Sequence, residues 1–365
     1  TRIYSPTCRI RIRTKSLHSG SNKCMESRNI RRKSRVTAAF SLLLLAVLAV
    51  FAIGIGSVYL PPETVLQVLF GKVDPADPAY IIVWNMRLSR VLASMFGGAA
   101  LSLSGLLLQI LFQNPIADPY ILGISSGARL AVGIMLLGGV MAGFYVTNPW
   151  VLFLGALAGS LAVMALLLLF SARVRSVTTL LIVGMMVGYF CSALVGLLVA
   201  FSDDSSIADF TRWTMGSFGL MTWPKIYVLV LVCSVLFALS FLLGKNLNAL
   251  RMGEPYAVTM GVNVKVLRVA IILISGLLTA VVTAFAGPVS FIGMSVPHIC
   301  RMILKTDDSR VLIPSCILCG GIFGVGCDLV SRTIIAPNEL AIGTVTAYVG
   351  VPIVLYLLMK KNKHE

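Results

Sequence analysis

The sequence predicts an all-α polytopic membrane protein with about ten transmembrane helices. Three observations carry that prediction. The 365 residues are 58% hydrophobic and only 12% charged, the apolar residues fall in long uninterrupted runs, and Lys and Arg gather in alternate connecting segments. A soluble domain carries about 25% charged residues. Half that share leaves too little polar surface to cover a water-soluble globule, and the mean hydropathy of +0.93 agrees. Runs of about 18 or more apolar residues mark membrane helices. Such runs fall at 36–60, 90–112, 120–142, 149–171, 177–201, 224–244, 266–286, 291–304, 311–335 and 340–359, the eighth being short and Pro-containing.

The net charge of +16 is unevenly placed. Residues 1–35 hold eleven Lys and Arg against the single acid Glu26, and the remaining residues carry only +6. A basic arm before a first span reads as a cytoplasmic topology signal, and no nucleic-acid partner is expected of a chain mostly buried in lipid. The first Met is Met25, so residues 1–24 are expected to lie upstream of the native start and are set aside. The run at 42–60 is too long for a signal peptide and lacks a small-residue cleavage site. It is read as a retained first span. The expected organisation is a basic arm (1–35), one ten-helix domain (36–360) and a short tail (361–365).

An even number of spans puts both termini on one side, and Lys and Arg in short loops set the orientation. With a cytoplasmic N-terminus, the inside segments hold Arg173, Arg175, Lys245, Arg251, Lys265, Arg268, Arg301, Lys305, Arg310, Lys360, Lys361 and Lys363. The outside segments hold Asp74, Asp77, Asp203, Asp204 and Asp209. Three outside residues break the pattern: Arg87 and Arg90 before the second span, and Arg332 at the end of the ninth. Either they snorkel to lipid phosphates, or they form a docking surface for an acidic partner, where opposite charges steer and register association.

Small residues are dense inside the spans, as in Gly97-Gly98-Ala99-Ala100, Gly155-Ala156-x-Ala158-Gly159 and Gly320-Gly321-x-x-Gly324-x-Gly326. They let helix backbones approach closely in lipid. Gly and Pro interrupt the pattern at Asn114–Pro119 and at Gly287–Gly293, each followed by Gly-x-Ser. Broken segments in corresponding halves point to a transport pathway.

No Gly-x-x-x-x-Gly-Lys-Ser/Thr loop is present, so the chain has no P-loop for ATP. There is no His-Glu-x-x-His, and only three His occur. An intramembrane enzyme or a proton-driven carrier would need more ionisable residues within the spans. Asp328 is the one mid-span carboxylate, and Arg332 lies at salt-bridge spacing from it. Cys316-x-x-Cys319 is either a redox or metal pair or two small residues in a helix. In the longest inside loop, Glu254 opens a short segment with Pro255 in its first turn and Gly261 closes it. A two-turn helix there, near 250–263, would present Ala257 and Met260, either to a partner's groove or as an ordinary connector.

These segments together resemble the FecCD-type permease family, the membrane subunits of type II ABC importers for iron-siderophores, haem and cobalamin. The residues that carry the resemblance are Arg87-Leu-Ser-Arg90, Gly105-Leu-Leu-Leu-Gln109, Asn114-Pro-Ile-Ala-Asp-Pro119, Leu122-Gly-Ile-Ser-Ser-Gly127, Trp213-x-Met-Gly216-Ser-Phe-Gly219, Gly253-Glu254 to Gly261, Gly287-Pro-Val-Ser-Phe-Ile-Gly293 with Pro297-His298, and Glu339-Leu-Ala-Ile-Gly343. The resemblance implies a ten-helix permease of the inner membrane. It would work as a homodimer or beside a similar permease, with two ATPase subunits below and an extracytoplasmic binding protein above. It also implies that this chain binds no cofactor, ATP and Mg being used by the ATPase partner. By position, Gly253, Glu254, Ala257 and Gly261 match the ATPase-coupling helix, and Arg87, Arg90 and Arg332 match the basic docking residues. Asn114, Ile116, Val177 and Thr178 match the cytoplasmic gate, with Val177 replacing an expected polar residue. Arg129 stands where the family usually has a small residue. It is expected either to face the pathway and attract an anionic ferric chelate, or to pair with backbone carbonyls or a neighbouring chain.

Overall fold

The computed structural model describes residues 36–361 apart from 57, 59, 140–147, 175, 220 and 337. The arm at 1–35 and residues 362–365 of the tail lie outside the described residues. Every regular element among the described residues is helical. In chain order these are α1 (Val36–Gly54), α2 (Pro62–Leu69), α3 (Pro78–Leu111), α4 (Ile124–Gly138), α5 (Pro149–Arg173), α6 (Val177–Ala200), α7 (Asp204–Met215), α8 (Trp223–Arg251), α9 (Glu254–Thr259), α10 (Val264–Ala286), α11 (Ile292–Leu304), α12 (Ser309–Thr333) and α13 (Ile342–Lys361). Seven of them (α1, α3, α5, α6, α8, α10 and α12) are long and apolar enough to cross a membrane, and α4, α11 and α13 are shorter apolar helices. They correspond in order to the ten expected spans.

Helix α3 is the hub. It packs against α8, α10, α11 and α12, and its small residues explain how. Where α3 crosses α12, a Cβ on Gly320 would lie 2.6 Å from the Gly98 carbonyl oxygen, and one on Gly98 would lie 2.9 Å from the Gly324 Cα. Lower on α3, a Cβ on Gly105 would overlap the Gly293 backbone. A second crossing of the same kind joins α4 to α5, where a Cβ on Gly159 would come within 2.6 Å of the Ala131 Cβ. Lipid offers no hydrophobic drive between helices, so close backbone packing supplies the attraction.

The start of α3 differs from the sequence expectation. Its helix begins at Pro78 and runs through a π-helical stretch at Ile81–Leu88, so Arg87 and Arg90 lie within a continuous helix rather than in a loop before the second span. Asp77 caps this helix by accepting from Ala79 N at 2.7 Å, and Pro78 in the first turn favours the start.

The two interrupted segments become the entrances to half-length helices. Gly123 takes a left-handed conformation immediately before α4, and Phe291 does so before α11. A 13-residue helix such as α11 is about 20 Å long, short of the roughly 30 Å hydrocarbon core. The segments meet each other: a Cβ on Gly293 would lie 2.8 Å from Pro119 Cδ and 3.2 Å from Asp118 Oδ2. On the surface, α7 is capped by Asp203, which accepts from Ser206 N at 3.2 Å. Hydroxyls of Ser205 and Ser206, with that N–H, hold its carboxyl down at about 2.

Because the α3–α12 crossing leaves no room for a side chain, Gly98→Val is expected to cost about 1–3 kcal/mol or more. Gly196 on α6 meets nothing within 4 Å, so Gly196→Ala should gain up to about 1 kcal/mol from helix propensity. Thermal unfolding of the purified protein in detergent checks both.

Candidate functional site

Two differently built surfaces lie at opposite ends of α8. Near its Trp223 end, Arg87, Arg90 and Arg332 line one open cavity of about 270 Å³ together with Met86, Gly219 and Glu339. The sequence placed these arginines on an outer surface. The structure brings all three together, but each is less than a tenth exposed and already has partners inside the chain.

Arg90 Nε donates to both Asp328 oxygens at 2.9 and 3.0 Å, and its Nη1 donates to Glu339 Oε1 at 2.6 Å. Arg332 Nε lies 3.8 Å from Asp328 Oδ2, and its Nη2 donates to the Ala52 carbonyl. Arg87 Nη1 donates to the carbonyls of Ile53 at 3.0 Å and Gly54 at 2.8 Å, and its Nη2 to that of Val58. The last carbonyls of a helix have no partner within it and carry partial negative charge, so two guanidinium groups satisfy the end of α1. Three cations face two carboxylates, which leaves the cavity one positive charge in excess. The i, i+4 pairing of Asp328 with Arg332 was legible from spacing. The closer partner, Arg90, comes from 238 residues away, and Glu339 was matched without being given a role.

The Arg251 end of α8 carries α9. Gly253 sits at φ 114 before it, and Gly261 at φ 80 after it. Gly261 N donates to Val258 O and Val262 N to Ala257 O, both at 3.0 Å, the Schellman pattern that ends a helix. The expectation that Ala257 is presented outward is corrected: it is fully buried, because a six-residue helix lying against α8 and α10 needs a small side chain underneath. Met252, Tyr256, Val258 and Met260 are the exposed apolar groups. Glu254 accepts from Arg268 Nη2 at 2.7 Å, and Arg268 Nη1 also donates to the Val174 carbonyl at 3.2 Å. Sequence reading treated Arg268 only as a topological charge, since no spacing links it to either partner.

The matched gate residues sit on separate elements. Asn114 Oδ1 accepts from Ile116 N at 3.0 Å, a local turn in the α3–α4 loop that leaves Ile116 exposed. Val177 and Thr178 form the first turn of α6, capped by Ser176, whose hydroxyl accepts from Thr179 N at 3.4 Å.

Arg129 lies in the second turn of α4. Ser125, four residues before it, has its Oγ 3.3 Å from Thr283 Oγ1 of α10. Gly133, four residues after it, faces Phe210 of α7 and Val195 and Leu198 of α6. Residues three and four apart share a helix face, so Arg129 lies on the side between α10 and the α6–α7 pair, away from α5. Its Nε is buried without a hydrogen-bond partner among the described residues.

Cys316 is buried and Cys319 partly so, both as free thiols on α12. Among the described residues, no group of three or more His, Cys, Asp or Glu is placed to hold a metal ion.

Comparison with known proteins fits this geometry. The chain is 35% identical over 332 residues to the vitamin B12 import system permease protein BtuC of Klebsiella pneumoniae, covering 91% of this chain and 96% of that one. It is 38% identical over 283 residues to the protein of the same name from Salmonella typhi, covering 78% and 85%. A solved inward-facing structure of a metal-chelate type ABC transporter superposes with a TM-score of 0.77 at 30% identity, covering 88% of this chain and 98% of that one. The ten-helix bundle thus has the type II ABC importer permease fold. The FecCD transport family pattern matches residues 43–360, and the chain belongs to that family.

Proposed function

We propose that this ABC importer permease carries a metal chelate inward across the cytoplasmic membrane, the finer reading being an anionic iron chelate such as a ferric siderophore. The observation that supports the importer arrangement is the pair of unlike surfaces at opposite ends of α8. Its 29 residues span about 44 Å, more than the hydrocarbon core. In this reading the apolar face of α9 meets ATPase subunits in the cytoplasm, with both termini on that side. The arginine-lined cavity meets an extracytoplasmic binding protein. The pathway runs between two copies of this chain, or between it and a similar permease, and the exposed Tyr189, Phe190 and Tyr348 supply apolar surface for that interface. The chain itself performs no covalent chemistry and holds no cofactor, and the ATPase subunits use ATP and Mg.

Docking would proceed by exchange. A carboxylate of the binding protein competes with Glu339, the more exposed of Arg90's two partners, while Asp328 stays buried. Glu339→Gln is therefore expected to tighten docking several-fold, and Arg90→Gln to weaken it more than tenfold, which corresponds to about 1.4 kcal/mol. Kd for the binding protein, measured on nanodisc-embedded permease at low and high salt, checks both signs. An unchanged Kd in both variants sinks the docking role. Asp328→Asn, by contrast, leaves two buried guanidinium groups facing each other and is expected to destabilise the fold by about 3–5 kcal/mol, read by thermal unfolding.

The iron reading is supported by Arg129, since a charge within a span is costly and marks a functional position by default. Cobalamin is the second reading, supported by the names of the relatives. Proteoliposomes holding the permease, its ATPase and its binding protein would be offered an anionic ferric tris-catecholate or cyanocobalamin. The expected result is ATP-dependent ferric uptake that falls about tenfold in Arg129→Gln. Uptake of cyanocobalamin alone, unaffected by that substitution, would replace iron with cobalamin. Uptake without any ATPase subunit would mean a secondary carrier.

A further inference from the structure

We propose that Arg268 is a positioning residue that transmits movement of α9 to the turn between α5 and α6, and so to Val177 and Thr178. The proposal rests on the reading that α9 is where the ATPase engages. Glu254, the first residue of α9, holds Arg268 Nη2 at 2.7 Å, while Arg268 Nη1 holds the carbonyl of Val174 at 3.2 Å. Val174 ends α5: its N–H still donates to Phe170 O at 2.8 Å, but its carbonyl lies beyond the last helical turn and needs an outside partner. Two residues later Ser176 caps α6, and Val177 and Thr178 are the first turn of that helix. One guanidinium therefore spans the gap between the coupling helix and the support of the gate.

The chemistry suits a mechanical link. A guanidinium is planar, and its donors sit in a rigid fork, so two acceptors on different edges are held at a fixed separation. A lysine ammonium on its flexible stem would not fix them in this way. The Arg268 side chain is only 10% exposed, so salt screens the pair weakly. At the other side of the link, α9 is fixed internally by the Gly253 and Gly261 turns and underneath by the buried Ala257. It can move as one piece and carry Glu254 with it. A simple ion pair that only anchored α9 would need Glu254 and Arg268 but would have no use for the Val174 carbonyl, and this difference makes the proposal testable.

The test uses the full permease–ATPase complex and needs no transport substrate. Thr178→Cys serves as a reporter, labelled with a membrane-impermeant maleimide and quantified at that position by mass spectrometry, with and without ATP and vanadate. In the otherwise unsubstituted chain, trapping should change the labelling rate at least fivefold. In Arg268→Gln the response should fall below twofold, while ATPase subunits copurify in equal amount. Arg268→Lys keeps the charge and one partner and should also lose most of the response, which covers the case in which Arg268→Gln does not fold. The charge exchange Glu254→Arg with Arg268→Glu restores an ion pair, but a carboxylate at 268 cannot donate to the Val174 carbonyl, so the response should stay lost. A full response in Arg268→Lys, or its return in the charge exchange, would overturn the link. Failure of any ATPase to copurify with the unsubstituted chain would instead overturn the proposed function.

Discussion

The structure depends on backbone-to-backbone contact along α3. In water a bundle could be held by apolar side chains of almost any shape, but in lipid those side chains are as well solvated outside the bundle as within it. What holds this bundle is therefore the removal of side chains, at Gly98, Gly105, Gly320, Gly324 and Gly293, where carbonyls and Cα atoms of neighbouring helices occupy the vacated space. The charged and polar contacts at both ends of α3 are registered against that contact. Arg90 lies two turns from Gly98 on the same helix and reaches Asp328 one turn beyond Gly324 on α12. At the other end of α3, Gln109 sits one turn beyond Gly105, donates to the carbonyls of Gly293 and Met294, and accepts from Arg301 at 2.6 Å. One crossing thus sets the geometry at both ends of the helix.

The charges obey a related constraint. A buried ion pair returns its desolvation cost only when the remaining lone pairs and protons are also satisfied. Asp328 meets much of that demand by taking both of its oxygens to Arg90; Arg332 Nη2 goes to the open end of α1, while Arg332 Nε, 3.8 Å from Asp328 Oδ2, has no hydrogen-bond partner among the described residues. The arginine cavity is consequently a structural joint as well as a candidate docking site. A partner's carboxylate arriving there would have to compete with bonds that hold α1, α3 and α12 together, which favours the exposed Glu339 contact as the one that yields.

Much of this was legible in the sequence, and the unread part has a common cause. Apolar run length revealed the ten helices, and the caps of α9 followed from Pro255 and Gly261 because helix ends are local. The Asp328–Arg332 pair was legible because it lies within one helical turn. The Arg90–Asp328 and Arg268–Val174 contacts were not, since each joins elements whose relative placement emerges only once the helices are packed. Ala257 was misread for the same reason: in isolation a short amphipathic helix does not reveal which face is covered. The boundary of α3 was misplaced because the π-helical stretch before Arg90 is less uniformly apolar than the run after it, so hydropathy alone stopped too early.

The two half-length helices carry the argument one step further. Both α4 and α11 begin at a left-handed residue after a Gly/Pro break, and their entrances touch through Pro119, Asp118 and Gly293. A helix that begins inside the bilayer exposes N–H groups that hydrocarbon cannot satisfy, so such starts persist only where protein or water serves them. Here α3 packs closely against the entrance of α11 at Gly105, and Gln109 donates to the carbonyls of Gly293 and Met294 there, whereas α4 starts against Gly184 and Gly188 of α6. Helix α6 is among the less buried long helices, and its first turn carries Val177 and Thr178. The entrance to α11 is therefore fixed to the hub. The entrance to α4, with Arg129 just beyond it, is held by α5, where Ser160 Oγ donates to the Ile124 carbonyl at 3.2 Å, and touches α6 at Gly184 and Gly188. In the proposed coupling, a pull on the first turn of α6 would therefore reach the α4 entrance before it reached the α3–α11–α12 frame.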